Sequence, residues 1–392
     1  MTPIFTSLLE TDLYKFTMWQ TMLNQHPPVD AEYTFVCRNE PTRPLAAMVS
    51  AVNEQLDHLC SLRFTEDELR YLGSLRYIKP EFVAFLRGFQ FDRSTIKVTT
   101  SGTELRIVAR GLQIQVMGFE VFVLAIVNEL HFRGWGDAPL TEGRAKLAAK
   151  ISAVREFVGE REHPFELFDF GLRRRFSGAW HREVVETLAR ELPDQFRGTS
   201  NVLLAKELGL TPIGTMAHEY LQTYQALPGI ELRDSQRAAL ADWLKEYGSD
   251  LGTALTDVIS MDAFLADFDA DFANAFTGLR HDSGDAVEWG EKALAHYTKL
   301  DVNPHTKRLV FSDGLNIAKC VDLFDHFADR VQVGFGVGTN LTNDCGFKAL
   351  NVVMKLTRCN GKPVAKLSDS PGKTMCKDEA FVERLRETFG SF

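Results

Sequence analysis

The chain has 392 residues, 45% of them hydrophobic and 25% charged, with a formal net charge of −9. That balance excludes a disordered chain and argues against a general nucleic-acid binder, which needs cations facing phosphates, but leaves room for an anionic small ligand held by local arginines. Six cysteines without paired spacing argue against a disulfide framework and for reduced thiols in a cytoplasmic setting.

The length allows a large core and two domains. The longest apolar run, 121–127, falls far short of a membrane span, and no basic segment followed by an apolar run opens the sequence. In chain order, 13–23 reads as a helix with Asp12 as its cap, and 31–37 alternates like a strand. Residues 45–90 carry helical periodicity broken near Gly73 and Pro80. Strands are expected at 104–109 and 112–117, with Gly111 in a tight turn between them. A buried helix at 120–131 and a long amphipathic helix at 142–160 follow.

Beyond residue 165 the rhythm changes. Short apolar strands are predicted at 165–170, 210–214, 275–279, 308–312 and 331–335. Helices are predicted between them at 179–192, 216–226, 234–247, 286–299 and 315–325. Such alternation requires a parallel sheet with helices outside it, either a closed β/α barrel or an open doubly wound sheet. A strand is expected at 347–358, then hairpin and loop over 361–377.

Several strand ends carry chemistry. Leu279-Arg280-His281-Asp282-Ser283-Gly284-Asp285 packs an arginine and two carboxylates beside a buried strand, which suits a ribose, phosphate or metal better than a plain turn. Phe170-Gly171-Leu172-Arg173-Arg174-Arg175 offers a ring face and guanidinium forks for a planar anion, although all three arginines cannot point into one site. Gly198-Thr199-Ser200-Asn201 reads either as a helix cap, with Ser200 or Thr199 in that role, or as a helix start facing an anion. His218 follows a strand, with no companion that would make a zinc site. Ser312-Asp313-Gly314 and Gly336-Val337-Gly338-Thr339 offer bare backbone N–H groups of the kind that cradle phosphate. These residues alone point to an enzyme binding a phosphorylated, ribose-containing metabolite.

Taken together and in this order, the segments resemble the nicotinate phosphoribosyltransferase family, from Thr11-Asp12-Leu13-Tyr14-Lys15 to Lys366-Leu367-Ser368-Asp369-Ser370-Pro371-Gly372-Lys373. The resemblance implies an α/β chain of the type II phosphoribosyltransferase kind. An irregular β/α barrel over 136–349 would join an α+β domain built from the N-terminal third, 1–135, and the C-terminal tail, 350–392. It implies nicotinate and 5-phosphoribosyl 1-diphosphate as substrates, nicotinate mononucleotide and diphosphate as products, and a place in NAD formation. It further implies ATP hydrolysis coupled through a phosphohistidine at His218, magnesium, and a homodimer with shared active sites.

On that resemblance Phe170 stacks on the pyridine ring and Tyr14 of a partner subunit covers the other face. Arg173 and Arg280 meet carboxylate and phosphate charge. Asp282 takes the ribose hydroxyls, and Asp285 is a substrate-binding or indirect metal residue. Gly314, Gly338 and Thr339 hold the 5-phosphate through backbone N–H groups, and Asp313, Thr199 and Ser200 belong to the substrate site. The related nicotinamide-using enzymes carry an aspartate where this chain has Ser200, so serine should favour the acid over the amide by adding no negative charge. Two rivals remain, a quinolinate-using transferase of similar fold and a non-catalytic binding protein.

Overall fold

The computed structural model describes residues 1–136, 138–159, 161–370, 374 and 376–390. Two sheets organise it. The first is antiparallel, in the order β11-β10-β1-β3-β2, with β1 Asp30–Cys37, β2 Ile96–Ser101, β3 Glu104–Leu112, β10 Val352–Cys359 and β11 Lys362–Pro363. The second is parallel, in the order β5-β4-β9-β8-β7-β6, with β4 Glu166–Asp169, β5 Phe196–Thr199, β6 Thr253–Leu255, β7 Gly278–His281, β8 Arg308–Phe311 and β9 Gln332–Val337. Its strands are short and almost wholly buried, as expected when helices cover the outside of a parallel sheet.

The ring closes irregularly. Residues 210–214, expected as a strand, form only one parallel bridge, Thr199 to Pro212. On the other side the Thr215 hydroxyl donates to the Thr253 carbonyl of β6 at 2.9 Å. This segment therefore joins β5 to β6 without a full ladder, and the parallel sheet is an irregular barrel rather than an open one. The C-terminal run first completes the antiparallel sheet, with β10 pairing β1 from Ala31–Cys359 to Cys37–Val352. It then returns to the barrel, where the Arg233 guanidinium lies 5.1 Å from the Phe389 ring of the last helix, Glu379–Phe389.

Several expectations need correction. Leu112 to Met117 alternates like a strand but forms the short helix Gln113–Val116. The Gln113 side chain is buried and donates to the Thr223 hydroxyl at 2.7 Å, a tertiary bond that overrides the local pattern. Gly111 is consequently a strand residue paired with Ala31, and the hairpin turn lies at Gly102, with φ 59°. Asp12 precedes the helix Leu13–Gln25 but makes no side-chain cap bond. The helix Phe119–Phe132 is buried on nearly every face. The stretch Gln113–Phe132 is long and apolar enough to cross a membrane, unlike the run read from sequence, yet 83% of its window is buried inside the protein. A stripe of apolar residues all round suits such a core helix. All six cysteines are free thiols. Pro371, Gly372 and Lys373 of the late motif lie outside the described residues.

Candidate active site

A cavity of about 680 Å³ lies between the carboxyl ends of the barrel strands and the antiparallel sheet, within the usual range for a metabolite site. It brings together Tyr14, Phe170, Arg173, Ser200, His218, Arg280, Asp282, Asp313, Gly314, Gly338 and Thr339. Two expected residues do not line it. Thr199 is fully buried and donates to Asp169 Oδ2 at 2.6 Å. Asp285 is exposed, and its carboxylate accepts the Glu288 N–H at 2.8 Å, capping the helix Ala286–Lys299.

The loop after β4 is fixed from beneath. Asp169, fully buried, accepts His181 Nε2–H at 2.6 Å, the Thr199 hydroxyl and the Gly171 N–H at 2.8 Å. Its carbonyl accepts the Ser200 N–H at 2.8 Å, so one residue ties the ends of β4 and β5 together. Phe170 then lies over Gly336, where any Cβ would collide with its ring. The arginine run divides. Arg173 and Arg174 line the cavity, whereas Arg175 is buried against Glu10 and the Phe5 ring.

The Tyr14 ring lines the cavity of its own chain, with the Arg173 guanidinium 5.6 Å from the ring centroid. Beside it, Ser200 donates to Asp12 Oδ1 at 2.6 Å, and Arg173 Nε lies 3.6 Å from Asp12 Oδ2. Ser200 adds no charge of its own, but its hydroxyl is engaged by the Asp12 carboxyl. Burial pushes the Asp12 carboxyl up, and Arg173 only partly opposes it. The cap of the helix Val202–Leu208 is Asn201 rather than Ser200 or Thr199. Behind Arg173, buried Lys15 sits 2.6 Å from Glu120 and also pairs with Glu219, which accounts for Glu219 structurally.

The opposite wall holds the chemistry-bearing cluster. His218 Nε2 lies 2.8 Å from Asp257 Oδ1 and 3.6 Å from Asp282 Oδ2. Lys366 Nζ lies 2.6 Å from Asp257 Oδ2 and 3.8 Å from Asp282 Oδ2. Burial raises the Asp257 carboxyl, but His218 and Lys366 outweigh it and hold it well below the usual carboxylate range. An ionised carboxylate can only accept, so Nε2 carries the proton and Nδ1 the lone pair. Nδ1 has no hydrogen-bond partner among the described residues. Burial, then Lys366, pull the His218 ring down to about 4 against the two aspartates, so it is neutral near pH 7. The Asp282 carboxyl is raised by burial but held low by Lys366, His218 and Arg280. It accepts the Ser312 hydroxyl at 3.1 Å.

One atom each from His218, Asp257 and Asp282 lie within 4.8 Å of one another, a spacing that a metal ion could bridge. Six buried polar atoms of cavity residues have no partner among the described residues, namely Tyr14 Oη, Glu219 Oε2, Gln222 Oε1, Arg280 Nε, Asn340 Oδ1 and Asn343 Oδ1. Such atoms call for a ligand. Sequence reasoning missed Asp257, which follows a strand of three residues, and Lys355, Arg38 and Glu120, which reach the cavity from the other sheet and its helix. Lys355 is pushed down to about 8 by burial. The Lys366 motif was visible without a role.

Fold and site together define an α/β enzyme that takes an anionic, phosphorylated metabolite at the carboxyl face of an irregular parallel barrel. Two family models match the chain, that of the nicotinate phosphoribosyltransferase (NAPRTase) N-terminal domain over residues 9–128 and that of the NAPRTase family over 165–391. The chain is 61% identical to a nicotinate phosphoribosyltransferase of Herminiimonas arsenicoxydans, covering 99% of this chain and 98% of that protein. It is 55% identical to one of Chromobacterium violaceum over the same shares. A crystal structure of nicotinate phosphoribosyltransferase from Vibrio cholerae matches with a TM-score of 0.94 at 38% identity, covering 100% of this chain and 95% of that one. The chain belongs to the nicotinate phosphoribosyltransferase family and is an enzyme of that family.

Proposed function

We propose that this enzyme joins nicotinate to 5-phosphoribosyl 1-diphosphate, releasing nicotinate mononucleotide and diphosphate, and couples this to ATP hydrolysis through a phosphohistidine at His218. The observation that carries the ATP-coupled reading is the pairing of His218 Nε2 with Asp257 at 2.8 Å in the same cavity as Phe170 and Arg173. It leaves a neutral imidazole with an available Nδ1, which is a nucleophile suited to phosphoryl transfer.

The pyridine ring lies between Phe170 and Tyr14, with Arg173 and Arg280 sharing carboxylate and phosphate charge. Asp282 accepts from the ribose hydroxyls. Gly314, Gly338 and Thr339 hold the 5-phosphate, Gly314 with its positive φ turning backbone toward the ligand. As diphosphate departs, positive character grows on C1 and the ring oxygen. The protein need only align the ring nitrogen behind C1 and neutralise the leaving oxygens. Arg38, Arg174 and Lys355 supply cations for that task.

Magnesium prefers oxygen ligands and keeps several waters. The His218–Asp257 pair, already neutralised by Lys366, fits it poorly, so Asp282 and Asp313 are the better ligands. Magnesium bound there would offset diphosphate charge. The quinolinate-using rival has no use for the His218–Asp257 pair.

The sheet membership of β10 and β11 supports the division into 1–135 with 350–392 and 136–349. Free thiols support a cytoplasmic location. A homodimer rests on the resemblance alone, and sedimentation equilibrium reads it directly. Since Tyr14 lines its own chain's cavity, a mixture of Tyr14→Ala and Asp282→Asn proteins should recover no activity. Recovery after verified subunit exchange would restore the shared-site reading. The function itself is tested by product assay with nicotinate, nicotinamide and quinolinate, each with and without ATP. Nicotinate should be used best and only its turnover stimulated by ATP; preferred use of quinolinate would overturn the reading.

A further inference from the structure

Residues 365–370 leave the antiparallel sheet and run along the loops that follow β6 and β7. The Leu367 N–H donates to the Val258 carbonyl at 2.8 Å, and Asp369 accepts the Met261 N–H at 3.1 Å. The Asp369 N–H donates to Ser283 Oγ at 3.1 Å, and the Gly284 N–H donates to Ser370 Oγ at 3.0 Å. Gln225 fastens the start of the strap, its Nε2 donating to the Ala365 carbonyl and its Oε1 accepting the Ala365 N–H, each at 2.8 Å. This strap carries the Lys366 ammonium to Asp257 Oδ2 at 2.6 Å, where the Ser283 hydroxyl also donates.

Asp257 is thus held on one oxygen by two donors, and its other oxygen is aimed at His218 Nε2. A carboxylate oriented in this way fixes both the tautomer and the ring plane of its histidine. Without the ammonium, Asp257 would keep only Ser283 and His218 in a nearly water-free position, and its aim at the imidazole would loosen.

We propose that Lys366 is a positioning residue for the phosphorylation of His218, and that the C-terminal strap is thereby a working part of the ATP-coupled step. The inference rests on the phosphohistidine reading. In the step, the Nδ1 lone pair bonds to the γ-phosphorus of ATP. The bond from that phosphorus to the β–γ bridging oxygen breaks, and ADP leaves with its electron pair. The imidazolium formed keeps its Nε2 proton against Asp257. Lys366 touches none of the reacting atoms and acts through Asp257.

The test uses the full-length chain as wild type, Lys366→Met and Lys366→Arg. Acid-labile phosphate transferred from γ-labelled ATP is measured beside the ratio of ATP-stimulated to ATP-independent product formation. In Lys366→Met both the labelling rate and that ratio should fall, labelling by about tenfold or more, because misaligning a nucleophile by a fraction of a bond length has that scale of effect. Lys366→Arg, which keeps the charge, should recover part of both. If Lys366→Met does not fold by circular dichroism, Lys366→Gln, which retains a donor, carries the same measurements with a smaller expected fall. Undiminished labelling in a folded Met or Gln variant would overturn the proposal, as would a proportional fall of stimulated and unstimulated rates. A wild type without acid-labile phosphate would overturn the phosphohistidine reading and this inference with it.

Discussion

Two histidine–aspartate pairs stand at the same end of the barrel. His181 Nε2 meets Asp169 at 2.6 Å, and His218 Nε2 meets Asp257 at 2.8 Å. The first pair is sealed, with both side chains fully buried and the aspartate's remaining capacity taken by Thr199 and the Gly171 N–H. The second faces a cavity, beside a second carboxylate and a lysine. One pairing chemistry therefore serves two ends. Both rings keep an Nδ1 without a partner among the described residues, so the difference lies in access: the His181 nitrogen is sealed in the core, where the pair clamps loops, whereas His218 lines the cavity, where the proposed function makes its free nitrogen the nucleophile.

Making the same substitution on both histidines should break this symmetry most sharply. His181→Ala leaves the Asp169 charge buried and short of its main partner, which should cost about 3–5 kcal/mol of stability. Denaturant unfolding would register it as a lower midpoint. His218→Ala leaves Asp257 paired with Lys366, so its stability loss should be about 1 kcal/mol or less. Its effect should instead be the loss of ATP-derived acid-labile phosphate. If His218→Ala unfolds the protein while His181→Ala does not, the assignment of roles is reversed.

Asp282 sharpens the open side. Removing its charge-assisted bonds should lower kcat/KM by on the order of 2 kcal/mol, or about thirtyfold, for Asp282→Asn. Its unfolding midpoint should stay near that of the wild type, since the group lies at the cavity and not in a sealed pair. A collapsed fold would make the segment a structural turn.

Ser200 joins the two regions, its N–H on Asp169 and its hydroxyl on Asp12. Ser200→Asp would set a second carboxylate beside Asp12, and nicotinate kcat/KM should fall by about thirtyfold, with nicotinamide use falling less. An unchanged ratio of the two substrates would leave discrimination to the arginines.

The parts of this comparison that were readable in sequence are those carried by local patterns. The apolar runs of β4, β8 and β9 and the charged turn after β7 are continuous signals. β5, with an arginine and a glycine in four residues, and β6, with three residues in all, are too short for periodicity to register. Asp257 lies just beyond β6 and Asp169 ends β4, but the histidines that pair with them lie 39 and 12 residues away, out of reach of any local pattern. The Asp12–Ser200 contact spans 188 residues, so no local rule could reveal which group the serine hydroxyl meets. The family resemblance named most of the residues that line the cavity, while Asp285 caps a helix outside it.

The smallest expected effect is one of pH. Burial and Lys366 hold the folded His218 ring at about 4, below its ordinary 6.5. Histidine phosphorylation should therefore be flat across pH 6 to 8 and fall only as pH drops toward about 4. Between these two values the unfolded chain binds a proton that the folded chain refuses, so acidification through that window should lower stability. His218→Asn should remove this part of the slope, as read by unfolding at pH 5 and pH 7. A labelling rate that halves near pH 6.5 would contradict the neutral imidazole.

The order β11-β10-β1-β3-β2 has a consequence for synthesis on the ribosome. β1 is an inner strand of the finished sheet, but its neighbour β10 is made long after it. When β3 has emerged, roughly 250 residues separate the nascent chain from the end of β11, or roughly 12–50 s of translation at ordinary rates. Throughout that interval β1 presents an unpaired edge, backed by the apolar Tyr33 and Phe35 that the complete sheet buries. Chains terminated before Val352 should therefore aggregate, and a chaperone that shields strand edges should raise the yield of the full protein more than it changes its final stability.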